Sequence, residues 1–181
     1  MKNSRFFLLV CILCTTPLLS EAIIQKDSRL ISGSINTSNL TSLAEGEGFT
    51  ISNFSINPVY GRFFRKNIVF GPFFRYEYQN QDGFNEPATS LDLGGFGRLY
   101  TGVNLFFELS FRYDRQQSQF GNRSHGSWGG VGMGYTVFLT ESFAMEPRVF
   151  ADFGVFGDNS NLVRTGFTLG LTGFLRGSEQ E

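Results

Sequence analysis

The chain is poor in the residues that usually carry chemistry. Its 181 residues include two cysteines, one histidine, one tryptophan and five prolines. Lysine occurs only at positions 2, 26 and 66. Both cysteines, Cys11 and Cys14, lie inside an N-terminal segment that reads as an export leader. Once that segment is removed, the chain has no disulfide, no thiolate metal site and no cysteine nucleophile. Beyond it, no apolar run approaches the ~20 residues a membrane-spanning helix needs. No basic stripe offers a nucleic-acid footprint, so no nucleic-acid partner is expected.

The leader is built in three parts. Met1 to Arg5 is basic, and positions 6–19 are apolar apart from Thr15, Thr16 and Pro17. Ser20 and Ala22 then place small residues where a signal peptidase reads them. We expect a signal peptide over 1–22 and one domain over 23–181. Val10 before Cys11 and Leu13 before Cys14 are too large for a lipoprotein signal. Without Lys2, Arg5 and Glu21, 13 basic and 15 acidic residues remain, a net charge of −2.

What the chain does have is 22 phenylalanines and 22 glycines. These suit many short strands with aromatic faces, and glycines where space is tight. The segment 161–176 shows the pattern. Val163, Thr165, Phe167, Leu169 and Leu171 fall on one face, and Arg164, Gly166, Thr168, Gly170 and Thr172 on the other. Side chains alternate across a strand, so this strand is apolar on one side and polar on the other. Similar segments fall at 29–35 (the weakest), 49–64, 68–78, 89–100, 103–113, 127–139 and 143–156. Pro58 cannot donate to a ladder, and a bulge or a missing hydrogen bond is expected there.

The connections alternate in length. Polar loops are expected at 36–48, 79–88, 114–126 and 157–160, and turns of two or three residues between the other strands. Short periplasmic turns and longer outer loops mark membrane barrels. The expected fold is all-β: an eight-stranded antiparallel up-and-down transmembrane β-barrel, with both termini on the short-turn side.

Three features decide which face is outside. The strand charges Arg75, Glu77, Asp92, Arg98, Glu108, Arg112, Glu146, Arg148, Asp152 and Arg164 all fall on the polar face, with Arg62 the exception near a turn. That face mixes them with Gly, Ser, Thr and aromatics and has no lysine, which suits a filled lumen better than a wet surface. Phe64, Tyr76, Tyr78, Tyr113 and Phe143 gather near strand ends, as in the aromatic girdles of membrane barrels. The apolar face is therefore expected to meet lipid.

Over 29–176 the pattern resembles the small outer-membrane β-barrels of the OmpA/OmpX type without a periplasmic domain. Ile56-Asn57-Pro58 ahead of Tyr60-Gly61 is similar to Bacteroidetes-type forms. The resemblance implies outer-membrane lipids and the barrel-assembly machinery as partners, a monomer, and location in the cell outer membrane. It also implies a porin-like or cell-envelope role, with outer loops free to meet an extracellular ligand. That family ends its last strand on an aromatic residue, whereas here Phe174 precedes Leu175, Arg176 and a polar tail.

Five arginines against five carboxylates inside a narrow barrel suggest mutual neutralisation, either as a structural plug or as the lining of a pore. No enzyme, cofactor or metal site is expected. The function expected is structural or surface-interacting. The alternatives are a narrow channel for small solutes, a lipid A-modifying hydrolase using His125 and Ser127, and a soluble secreted ligand-binding barrel. The hydrolase idea rests on His125-Gly126-Ser127, whose His and Ser share a strand face, but no third member is evident.

Overall fold

A computed structural model of the chain describes residues 27–42, 50–79, 88–102, 104–117 and 123–176. The loop tips expected around 43–49, 80–87 and 118–122, and the leader, lie outside these residues. Nine strand pieces are present: β1 (Arg29–Ser42), β2 (Thr50–Arg65), β3 (Ile68–Gln79), β4 (Ala88–Tyr100), β5 (Leu105–Gln117), β6 (Arg123–Tyr135), β7 (Val137–Phe138), β8 (Phe143–Gly157) and β9 (Leu162–Leu175). The two residues of β7 continue β6 beyond a break at Thr136, so the pieces make eight strands. They form one antiparallel sheet in the order β6-β5-β4-β3-β2-β1-β9-β8-β7, closed by pairing of β6 with β8. The eight-stranded up-and-down barrel expected from the alternation is the fold observed.

The closing seam is longer than the sequence suggested. β1 pairs with β9 without interruption from Arg29↔Leu175 to Ser42↔Leu162. The loop expected from residue 36 therefore starts later. The polar run Asn36–Ser42 looks like loop by composition. In a closed barrel, however, both neighbouring strands offer it a ladder, and pairing of its backbone overrides weak β-propensity. The loop expected over 114–126 is also shorter, because β5 reaches Gln117 and β6 starts at Arg123 with Gln117↔Arg123 paired. The missing pairing expected at Pro58 is found on one side: Pro58 pairs with Gly33 of β1, but the β2–β3 ladder passes from Ile56↔Tyr76 to Val59↔Phe73 and skips it. A separate register shift between β2 and β3 comes between Phe63 and Arg65.

The two faces differ as the period-two pattern requires. Leu93, Leu109, Phe111, Val131, Val149 and Leu171 are among the large apolar side chains pointing outward. Inside, the barrel is filled in layers. At the short-turn end Leu30, Phe63, Val69, Tyr100, Phe106, Ala144 and Phe174 form a buried apolar layer. Each sits near a strand end beside a short turn or a terminus. Tyr100 packs 5.5 Å from Phe106 and 5.8 Å from Phe63, ring centre to ring centre. The inward face was expected to mix aromatics with charges; at this end the aromatics gather without charges, which makes the layer apolar.

One glycine contact fixes how closely two strands approach. A Cβ on Gly71 would run into the carbonyl oxygen of Tyr60 and lie 2.7 Å from the Gly61 Cα. These are backbone atoms, so relief requires β2 and β3 to separate. Gly71→Ala should lower stability by about 1–3 kcal/mol, read from the urea midpoint of the folded barrel in vesicles. Gly33, with nothing within 4 Å of its Cβ position, is the control: Gly33→Ala should stay within about 0.5 kcal/mol of the parent.

Candidate functional site

The charged residues of the polar face converge inside the barrel. Of the ten singled out in the sequence, nine are buried; Arg148 is slightly more open, with its side chain 11% exposed. Alternation within β3, β4, β5, β8 and β9 aims them all at the same narrow space. Arg62, the exception, lies outside and pairs with Asp27 at 2.9 Å in solvent.

The first group stands directly above the apolar layer, with Arg98 at its centre. Its guanidinium donates to Glu108 Oε2 from Nη2 at 2.7 Å and from Nε at 3.0 Å. Nη1 donates to Glu146 Oε2 at 2.6 Å and to the Tyr100 hydroxyl at 2.9 Å. The guanidinium also lies 4.2 Å from the centre of the Phe106 ring. Glu146 accepts three further bonds, from Tyr100 Oη at 3.1 Å, Thr136 Oγ1 at 2.9 Å and Thr172 Oγ1 at 2.8 Å. Arg148 pairs with the other oxygen of Glu108.

The second group lies towards the long-loop end. Arg112 reaches Asp92 at 3.1 Å through Nε and Asp152 at 2.8 Å through Nη1. Arg75 stands 4.0 Å from Asp92 and 3.9 Å from Asp152. Arg164 donates to Glu77 at 2.7 Å. The indole of Trp128 has the Arg112 guanidinium 5.2 Å and the Arg164 guanidinium 5.0 Å from its ring centre. Buried charges persist only when paired and hydrogen-bonded, and aromatic faces add cation–π attraction.

Sequence inspection missed one member. Asp114 was assigned to a loop, yet it is buried at the end of the inward row of β5. It accepts from Trp128 Nε1 at 3.3 Å and from Asn159 Nδ2 at 2.7 Å. Continuing the β5 alternation from Glu108 and Arg112 by two residues would have found it. The wall formed by β1 and β2 carries no charge inside; Asn36 Nδ2 donates to Ser55 Oγ at 2.9 Å there. Between this wall and the arginines lies a cavity of about 30 Å³, lined by Ser34, Asn57, Arg75, Arg148 and Thr168 among others. That is space for about two waters.

The His125-Gly126-Ser127 fragment sits elsewhere. His125 belongs to β6 rather than to a loop, and its ring is exposed on the outer face, 6.4 Å from that of Tyr113. Its backbone N–H donates to Asp158 at 3.1 Å. Among the described residues, its imidazole has no hydrogen bond or ion pair to a carboxylate. Ser127 pairs with outward-facing Tyr113, so it shares the outer face, but it is only 8% exposed. The structure does not assemble these two residues into a triad.

No protein-family model matches the chain, and no curated protein matches it. Solved structures do. A crystal structure of Neisserial surface protein A aligns with a TM-score of 0.65 at 12% identity, covering 82% of this chain and 99% of that one. The attachment invasion locus protein Ail of Yersinia pestis aligns at 0.49 and 11% identity, covering 83% and 99%. The N-terminal barrel of Pseudomonas aeruginosa OprF aligns at 0.45 and 15% identity, covering 81% and 98%. Identities this low speak of fold alone, and the first alignment carries it. Eight antiparallel strands, a charged interior and an apolar exterior give this chain the fold of the small eight-stranded outer-membrane β-barrels.

Proposed function

We propose that this protein is an outer-membrane barrel with a structural or surface-interaction role, exported by a cleaved leader over 1–22 and closed inside rather than open as a pore. The observation that carries this reading is the filling of the interior. Two ion-pair groups stand above an apolar layer, and the cavity between the β1–β2 wall and the arginines has room for about two waters. A hydrated ion would have to separate Arg98 from Glu108 and Glu146 and then cross the ring contacts of Phe63, Tyr100 and Phe174. The apolar outer face supports residence in lipid, since a barrel in water would bury that face. The loops between β1 and β2, β3 and β4, and β5 and β6 are the parts left to meet an extracellular partner. The barrel needs no second copy to complete it, which favours a monomer.

Planar-bilayer recording tests the closed interior. The full chain, shown to be inserted by heat-dependent gel migration, should give a flat current baseline. Steady unitary steps that change in size when Glu108 is replaced by glutamine would support the narrow channel instead.

A further inference from the structure

The outer face is not uniform. Along β6 its outward residues are His125, Ser127, Gly129, Val131 and Met133. Register places Tyr113, Phe111, Leu109 and Phe107 beside them on β5. On the other side stand Phe156, Phe153, Ala151 and Val149 of β8. The small residues Ser127 and Gly129 thus make the floor of a lane that continues over Val131, with aromatic walls over its upper half. At its lower end the lane opens into a depression of about 410 Å³, lined by Phe107, Val131, Met133, Val149 and Ala151 among others. The eight residue steps of strand from His125 to Met133 span about 26 Å. That is long enough, even on a tilted strand, for one leaflet of a hydrocarbon core ~30 Å thick.

The upper end of the lane is polar and carries donors. Arg115 and His125 are a directly opposed cross-strand pair, both exposed. Among the described residues, neither side chain is engaged by a carboxylate. Asp158 is adjacent, but its carboxylate accepts from the His125 backbone N–H rather than from the ring. Immediately below, Ser127 is only 8% exposed, and its hydroxyl has no hydrogen-bond partner among the described residues. An exposed arginine–histidine pair, then a serine, then an apolar lane match in order a phosphate, a polar linkage and an acyl chain.

We infer that the outer face of β5, β6 and β8 binds one phosphate-bearing membrane lipid, its phosphate held by Arg115 and His125 and one acyl chain lying over Gly129 and Val131. This rests on the outer-membrane reading above, in which the long-loop end faces the outer leaflet. It gives His125 and Ser127 a recognition role in place of a catalytic one.

Native mass spectrometry of the folded full chain in detergent tests this, with dioleoylphosphatidic acid and dioleoylphosphatidylcholine as probes. The protein should retain one phosphatidic acid about tenfold more tightly than phosphatidylcholine. The double variant Arg115→Gln/His125→Gln should lose that preference. Gly129→Leu should weaken both lipids by obstructing the lane; a Cβ there meets only Val155, at 3.4 Å, so the fold should accept it. Glycerol 3-phosphate, the headgroup without chains, should not compete. Equal retention by the parent and both variants would overturn the inference, and so would displacement by glycerol 3-phosphate, which would mark a site for free anions. Each sample is checked for heat-dependent gel migration. A protein that shows the shift without lipid preference removes only this inference. One that never shows the shift removes the outer-membrane reading as well.

Discussion

Arg98→Met should destabilise the barrel by about 3–5 kcal/mol, the cost of removing one partner from a buried ion pair. Arg98 bridges Glu108 and Glu146 and touches Tyr100 and Phe106, so its loss strips from Glu146 the one guanidinium paired with it among the described residues. Glu108 keeps Arg148, whereas Glu146 is left with hydroxyl donors from Tyr100, Thr136 and Thr172. These donors can hold a carboxylate's geometry but cannot neutralise its charge. Adding Glu146→Gln to the same chain should therefore recover part of the loss, because the uncompensated charge goes with it. Arg62→Ala is the contrast. That pair is more than half exposed, and its removal should cost under about 1 kcal/mol. All three are read from urea midpoints of the heat-shifted band in phosphatidylcholine vesicles. A shift for Arg98→Met no larger than that for Arg62→Ala would contradict the account of the interior.

Leu109→Arg should cost about 2–4 kcal/mol in the same vesicles, the penalty for an arginine near the midplane on a barrel's lipid face. Leu109 lies in the inner part of β5, is 68% exposed, and faces outward between Gly97 and Val131 of the neighbouring strands. The sign separates two environments. In lipid the guanidinium has no partner and must drag water or headgroups inward. In water the same change replaces an exposed leucine with a charge and should leave stability within about 0.5 kcal/mol. An unchanged urea midpoint would remove lipid from this face.

Most of the architecture was legible because alternation is a strong signal wherever two faces meet unlike media. β3, β4, β5 and β8 carry inward charges between outward apolar residues, and the burial of these charges follows that alternation. β1 was under-read because Ser, Asn and Thr dominate its second half. That composition looks like loop, yet Ser34, Asn36 and Ser38 point into the lumen, where Ser34 meets Asn57 and Asn36 meets Ser55 of β2. The strand exists because β2 and β9 pair with it on both sides, which no local window can contain.

The charged interior was legible as a set of residues but not as an arrangement. Sequence alternation gave the inward direction of Arg98 and Arg112. It could not show that Arg98 joins Glu108 to Glu146 while Arg112 joins Asp92 to Asp152, since those partners are fixed by register across three strands. Asp114 was missed because the expected loop began at 114, whereas β5 runs on to Gln117. The apolar layer was missed for a related reason. Aromatics were expected on the polar face, but the gathering of Phe106 and Tyr100 with Leu30 and Phe174 at one end depends on the closure of β1 against β9.

A nitroxide scan along β5 tests the inside-out arrangement most directly. Both cysteines lie within 1–22, so in a chain that begins at residue 23 single cysteines at Phe107, Glu108, Leu109, Ser110 and Phe111 can each be labelled uniquely. In vesicles, the labels at 107, 109 and 111 should be reached by oxygen dissolved in lipid and not by a nickel chelate in water. Those at 108 and 110 should be shielded from oxygen, giving a period of two. Nickel access at 107, 109 and 111, or no alternation at all, would contradict a barrel with its apolar face in lipid and its charges within.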